Sequence, residues 1–74
     1  MTEPNGLAMA NEHIAEAERR IARQRDLIAE LERDGHRTKE ARELLATMVS
    51  LLDQMERHRG HLLALSRRSK PGEA

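Results

Sequence analysis

The sequence predicts an all-α protein: an antiparallel, coiled-coil-like hairpin of two helices. Its composition favours helix, because Leu, Ala, Glu and Arg are abundant and Phe, Tyr and Trp are absent. Residues that favour strands are scarce, and Val49 is the single valine. Apolar residues recur with heptad spacing in both halves of the chain, and signals for a helix end and a helix start separate the two halves.

The first helix is predicted from about residue 6 to 33, after a disordered tail at residues 1–5. Its apolar positions fall seven residues apart, each followed three residues later by a second one: Leu7, Ala10, Ile14, Ala17, Ile21, Gln24, Ile28 and Leu31. This spacing is typical of heptad positions a and d, interrupted by Gln24 alone. A buried amide needs a polar partner, so Gln24 either selects register and partner or lies hydrated at the edge of a bundle. Asn5 and Asn11 are alternative N-caps.

The turn is predicted at residues 34–38. Gly35 suits the left-handed conformation that closes a helix at its C-terminus, and Thr38 is a favourable N-cap for the next helix. A stop signal and a start signal so close together describe a tight connection, which makes the two helices antiparallel neighbours.

The second helix is predicted from about residue 39 to 67, before a disordered tail at 68–74. Its heptad positions, broken by Arg59, are Ala41, Leu45, Met48, Leu52, Met55 and Leu62. A second stripe of Leu44, Leu51, His58 and Leu65 lies beside the first and widens the apolar face beyond a two-stranded seam. One helix cannot cover such a face. The sequence therefore predicts association with another copy, as a homodimeric four-helix bundle, or with another helical protein.

The residues expected to form the core and the oligomer interface are those nearest the seam of this bundle. They are Ile14, Ala17, Ile21, Gln24, Ile28, Leu31, Leu45, Met48, Leu52 and Met55. The function expected from this pattern is a non-enzymatic structural or protein-interaction module. Met48 and Met55 could form an adaptable binding groove, although methionine at heptad spacing is usually ordinary core.

Other function classes have less support in the sequence. Thirteen basic and thirteen acidic residues cancel, and no aromatic residue is present for base stacking. A nucleic-acid-binding regulator is nevertheless an alternative, and its contacts would come from arginines on the helix faces: Arg19, Arg20, Arg23, Arg57 and Arg59. The chain has no cysteine, glycine-rich phosphate loop or nucleophile elbow, so we expect neither catalysis nor a cofactor.

Histidines offer a third alternative. Folding the hairpin brings His13 towards Arg59 and Gly60, and therefore towards His58 and His61. Three imidazoles could bind a transition metal or make association sensitive to pH. The pattern lacks a His-Glu-x-x-His motif, however, and partly exposed histidines among arginines describe it better, so we expect no metal.

Part of the sequence resembles a group of small, uncharacterised bacterial helical-hairpin proteins. The resemblance covers about residues 13–63 and rests on His13-Ile14-Ala15, Arg20-Ile21, Gln24, Ile28, Leu31, Gly35, Thr38, Ala41, Leu44-Leu45 and His58-Arg59. It implies a bacterial origin and no particular activity. The architecture is also similar to that of the plasmid copy-number repressor in which two hairpins form a four-helix dimer. No signal peptide or transmembrane run is evident, so the expected location is the cytoplasm.

Overall fold

The computed structural model describes residues 4–68, which form two helices packed against each other. Helix α1 spans Pro4–Arg33 and helix α2 spans Lys39–Arg68. The described residues contain no strand. The chain is therefore an all-α helical hairpin, and this part of the sequence prediction is confirmed.

The helix bounds differ slightly from those predicted. Helix α1 begins at Pro4, two residues early, so the end of the predicted N-terminal tail is helical. Proline is favoured in the first turn because its φ is helical and the amide hydrogen it lacks has no acceptor there. Asn5 and Asn11 both lie inside α1, so neither is its N-cap. Helix α2 ends at Arg68, one residue late. The other predicted tail residues, 1–3 and 69–74, lie outside the described residues.

The turn has the two hydrogen bonds of a Schellman motif. The amide of His36 donates to the carbonyl of Leu31 at 2.8 Å, and the amide of Gly35 donates to that of Glu32 at 3.1 Å. Gly35 has a φ of +76°, as this motif requires of the residue after the helix end. The predicted role of Gly35 is thus observed in full.

The start of helix α2 is held by hydrogen bonds to Thr38 and by an ion pair of Arg42. The carbonyl of Thr38 accepts the first helical hydrogen bond, from the amide of Arg42 at 2.8 Å, which is the backbone role of an N-cap. The Thr38 hydroxyl accepts a hydrogen bond from Nε of Arg42 at 3.0 Å. The Arg42 guanidinium also forms an ion pair with Glu32. Arg42 therefore joins the end of α1 to the start of α2.

The core is a single file of isoleucines. Ile14, Ile21 and Ile28 are 3%, 5% and 6% exposed, and no other described residue is buried. The other seven seam positions are half-buried: Ala17, Gln24, Leu31, Leu45, Met48, Leu52 and Met55. A buried isoleucine contributes roughly 1.5–3 kcal/mol. The seam of one hairpin is thus continuous but thin, because each helix is covered on one side only.

Candidate interaction surface

Four large apolar side chains lie exposed along one side of the hairpin. They are Leu27, Leu44, Leu51 and Leu65, with exposed fractions of 43%, 52%, 49% and 45%. Leu44, Leu51 and Leu65 are spaced by whole heptads on α2 and therefore share one side of that helix. Leu27 belongs to the same side of the hairpin, because it lies one heptad after Arg20, and Arg20 lines a groove together with Leu51. We call this set the leucine face. It contains most of the second stripe that the sequence predicted beside the seam of α2.

An open groove of about 170 Å³ interrupts the leucine face near its centre. Its floor is apolar, because Ala17, Met48 and Met55 line it. Ala17 is the smallest of the three, which leaves space beside the two methionines. Leu51 forms one of its walls, with half of that side chain exposed. The groove therefore places a depression and a projecting leucine beside each other.

Polar side chains of α1 form the other edge of the groove: His13, Glu16 and Arg20. Nη2 of Arg20 donates to Oε2 of Glu16 at 3.0 Å, one helical turn away, so this edge carries one ion pair. Both side chains are about half exposed or more, and such a pair adds at most about 1 kcal/mol to stability. Contacts with charged groups of a partner could therefore replace this ion pair at a small cost in free energy.

The opposite side of the hairpin is more polar. It carries the ion pair between Arg42 and Glu32. Val49 and Leu63, which follow Arg42 at heptad spacing, are 40% and 37% exposed. The larger apolar surface thus belongs to the leucine face.

Gln24 has a partner within the hairpin. Its Nε2 donates to the carbonyl oxygen of Ala41 at 2.9 Å, across the seam and close to the start of α2. The sequence left open whether this amide fixes register or lies hydrated at an edge. The hydrogen bond makes Gln24 a direct link between the two helices, which argues against the second interpretation.

A second polar contact lies towards the open end of the hairpin. Nη1 of Arg59 donates to Oδ1 of Asn11 at 3.0 Å. Arg59 occupies a heptad position of α2 and is half-buried, so its guanidinium reaches sideways from the seam to this amide. The sequence does not predict this pair, because Asn11 is also one of two candidate N-caps and its partner lies on the other helix. The interruption of the heptad at Arg59 was the signal that a polar partner should be sought on α1.

The arginines proposed for nucleic-acid binding do not form one free cluster. Arg20 pairs with Glu16, Arg57 pairs with Asp53 at 2.7 Å, and Arg59 is engaged with Asn11. Arg19 and Arg23 are exposed and have no ion pair within residues 4–68. Acidic partners thus neutralise part of the basic surface that a phosphate backbone requires.

The histidines are not gathered into a metal site. Residues 4–68 contain no group of three or more His, Cys, Asp or Glu side chains placed to hold a metal ion. His13 lines the groove, while His58 and His61 are exposed on α2. The trio suggested by folding the sequence therefore lacks the geometry of a shared ligand set.

Comparison with protein-family models, curated proteins and solved structures finds no match. The resemblance to bacterial hairpin proteins accordingly stays an expectation from the sequence. No helix within the described residues has the length and apolar character needed to cross a membrane.

Proposed function

We propose that this hairpin is a non-enzymatic protein-interaction module that self-associates through its leucine face. The observation that carries the proposal is the exposure of Leu27, Leu44 and Leu51 on one side of the molecule, each more than two-fifths exposed. Clustered exposed leucines favour burial against another apolar surface, whereas scattered ones need no explanation.

The shape of the core points in the same direction. The three buried isoleucines are the whole buried core of the described residues. Their burial is a small contribution against the conformational entropy of two thirty-residue helices. A second hairpin laid on the leucine face would cover the half-buried residues Met48 and Met55, which line the groove. Four helices around a shared core are the usual way in which such a hairpin gains stability.

Sedimentation equilibrium at micromolar concentration tests the proposal. We expect a mass of twice the 8.5 kDa chain, and a shift towards the monomer for Leu51→Asp, which places a charge on the leucine face. Val49→Asp is the matched control, because Val49 is similarly exposed on the opposite side. It should leave the dimer intact.

Other results would redirect or remove the proposal. A wild-type chain that sediments as a folded monomer at every concentration refutes self-association. Equal dissociation of both variants places the interface elsewhere than on the leucine face. A cytoplasmic location stays a prediction, which cell fractionation can check.

A further inference from the structure

The groove lies at half the length of the hairpin. Ala17 and Arg20 are near the middle of α1, which spans Pro4–Arg33, and Leu51 is near the middle of α2, which spans Lys39–Arg68. A two-fold axis that is perpendicular to the helices and passes through this point lays the groove of one copy on that of another. The turns of the two hairpins then lie at opposite ends.

An interface on a two-fold axis must be complementary to itself. The centre of the leucine face meets this condition in shape. Leu51 projects with 49% of its surface exposed, and the depression over Ala17, between Met48 and Met55, lies directly beside it. Leu51 of each copy can therefore enter the depression of the other.

The charges of α1 distinguish two possible orientations of the second copy. Glu16 and Arg23 lie seven residues apart on one line of α1, and the point midway between them is one residue from the middle of the helix. With the turns at opposite ends, α1 lies antiparallel on α1 of the other copy, so Glu16 of each copy is opposite Arg23 of the other. This arrangement places each Glu16 between Arg20 of its own chain and Arg23 of the other copy, which gives one attractive contact across the interface on each side of the axis.

The alternative places both turns at the same end and lays α1 on α2 of the other copy. On this side of α2 the central positions are Thr47, Leu51 and Gln54, none of which carries a charge. Glu16 keeps Arg20 of its own helix as a partner in this orientation, whereas Arg23 would lose water without gaining a charged partner, which is unfavourable. The charge pattern therefore favours turns at opposite ends.

Building on the proposed self-association, we propose that the second copy docks with its turn at the opposite end and with the two-fold axis beside Leu51. Leu51 of each copy occupies the groove of the other. Glu16 and Arg23 pair across the axis, flanking the two leucines.

Single-cysteine variants test this geometry, since the chain has no cysteine of its own. We expect Leu51→Cys to form a disulfide-linked dimer under mild oxidation, because the two copies of this position lie beside the axis. Leu44→Cys should not link to itself. Its two copies would be about 20 Å apart along the helices, whereas a disulfide needs Cα atoms within about 7 Å.

A mixture of two variants gives a positive control for the orientation. Residues 44 and 58 lie seven positions on either side of Leu51, so each should meet the other across the axis. We therefore expect Leu44→Cys and His58→Cys to link when mixed, and neither to link alone. Every variant is first shown to be helical and dimeric in reductant.

The outcomes separate the docking geometry from the proposed function. A dimer by sedimentation in which Leu51→Cys does not link overturns the geometry and leaves self-association standing. Equal linking by Leu44→Cys alone and Leu51→Cys alone also overturns it, because random collision would explain both. A monomer at every concentration refutes self-association, and the docking geometry with it.

Discussion

At the scale of single residues, Gln24 connects sequence pattern to pairing. It occupies an apolar heptad position, yet its amide donates to the Ala41 carbonyl of the facing helix. Every helical residue has a backbone carbonyl, so the tight turn, and not this acceptor, sets the register of the two helices. Within that register the hydrogen bond satisfies the amide of a half-buried side chain and ties the two helices together.

Replacement of this amide is therefore expected to weaken the hairpin. Gln24→Ala should lower the free energy of unfolding by about 1 kcal/mol, the net value of one hydrogen bond of this kind. Gln54→Ala is the matched control, because Gln54 is exposed and makes no interhelical hydrogen bond among the described residues, so its change should stay within about 0.5 kcal/mol. Urea unfolding followed by circular dichroism measures both. Identical midpoints for the two variants would show that the Gln24 hydrogen bond adds nothing.

At the scale of the elements, replacement of glycine by alanine is expected to change the stability of the hairpin in opposite directions at two positions. Gly35→Ala should destabilise the hairpin by about 1–2 kcal/mol, because an alanine at a φ of +76° has its Cβ close to the carbonyl oxygen. Gly60→Ala should stabilise it by about 1 kcal/mol, since Gly60 is inside α2 and an added Cβ meets nothing within 4 Å.

Thermal unfolding at one fixed protein concentration measures both effects, and the concentration must be matched because association shifts the midpoint. The expected result is a lower midpoint for Gly35→Ala and a higher one for Gly60→Ala. A midpoint that rises for both would mean that the turn does not depend on the left-handed conformation of Gly35.

The helices and the turn could be predicted from sequence because their signals are local. The heptad of isoleucines, Gly35 and Thr38 each act within a few residues. The structure has the isoleucines and Gly35 in the expected roles and Thr38 at the N-cap position, with its hydroxyl bound to Nε of Arg42 and not to a backbone amide. The partners of Gln24 and Asn11 could not be predicted. Each depends on where a long side chain of one helix meets the other, which a shift of one turn would change.

The groove could be predicted only in part, for a similar reason. The sequence offers Met48 and Met55 either as ordinary core or as an adaptable groove, and it gives Ala17 no role beyond the seam. Space remains there because a small residue faces two unbranched ones, and this becomes visible only when both helices are in place. The stripe containing Leu51 was predicted correctly, but not that it would border a depression.

At the scale of the whole molecule, the chain combines a thin internal core with a wide external apolar face. Its internal seam holds three buried isoleucines, whereas the leucine face holds four side chains that are each more than two-fifths exposed. In the proposed dimer the second hairpin would supply apolar contacts that the first one lacks, so the free energies of folding and association would be coupled. We expect helicity and dimerisation to be lost together on dilution.

The charges beside the proposed axis allow a test that leaves the apolar surface unchanged. Arg23→Glu places two carboxylates opposite each other at both symmetry-related positions, so the dissociation constant of the dimer should rise about tenfold, equivalent to about 1.4 kcal/mol. Arg19→Glu is the control, because Arg19 is exposed on α1 and lies three residues after Glu16, on a different line of the helix.

The double variant Glu16→Arg with Arg23→Glu exchanges the two charges and should restore most of the lost affinity. Repulsion between the new arginine and Arg20, four residues away, opposes this restoration by only a few tenths of a kcal/mol. Each single variant loses the attraction across the axis, whereas the double variant recovers it with the signs reversed, so the coupling energy isolates this contact. Additive effects of the two substitutions would mean that Glu16 and Arg23 do not meet, and the second hairpin would then have to lie in another orientation.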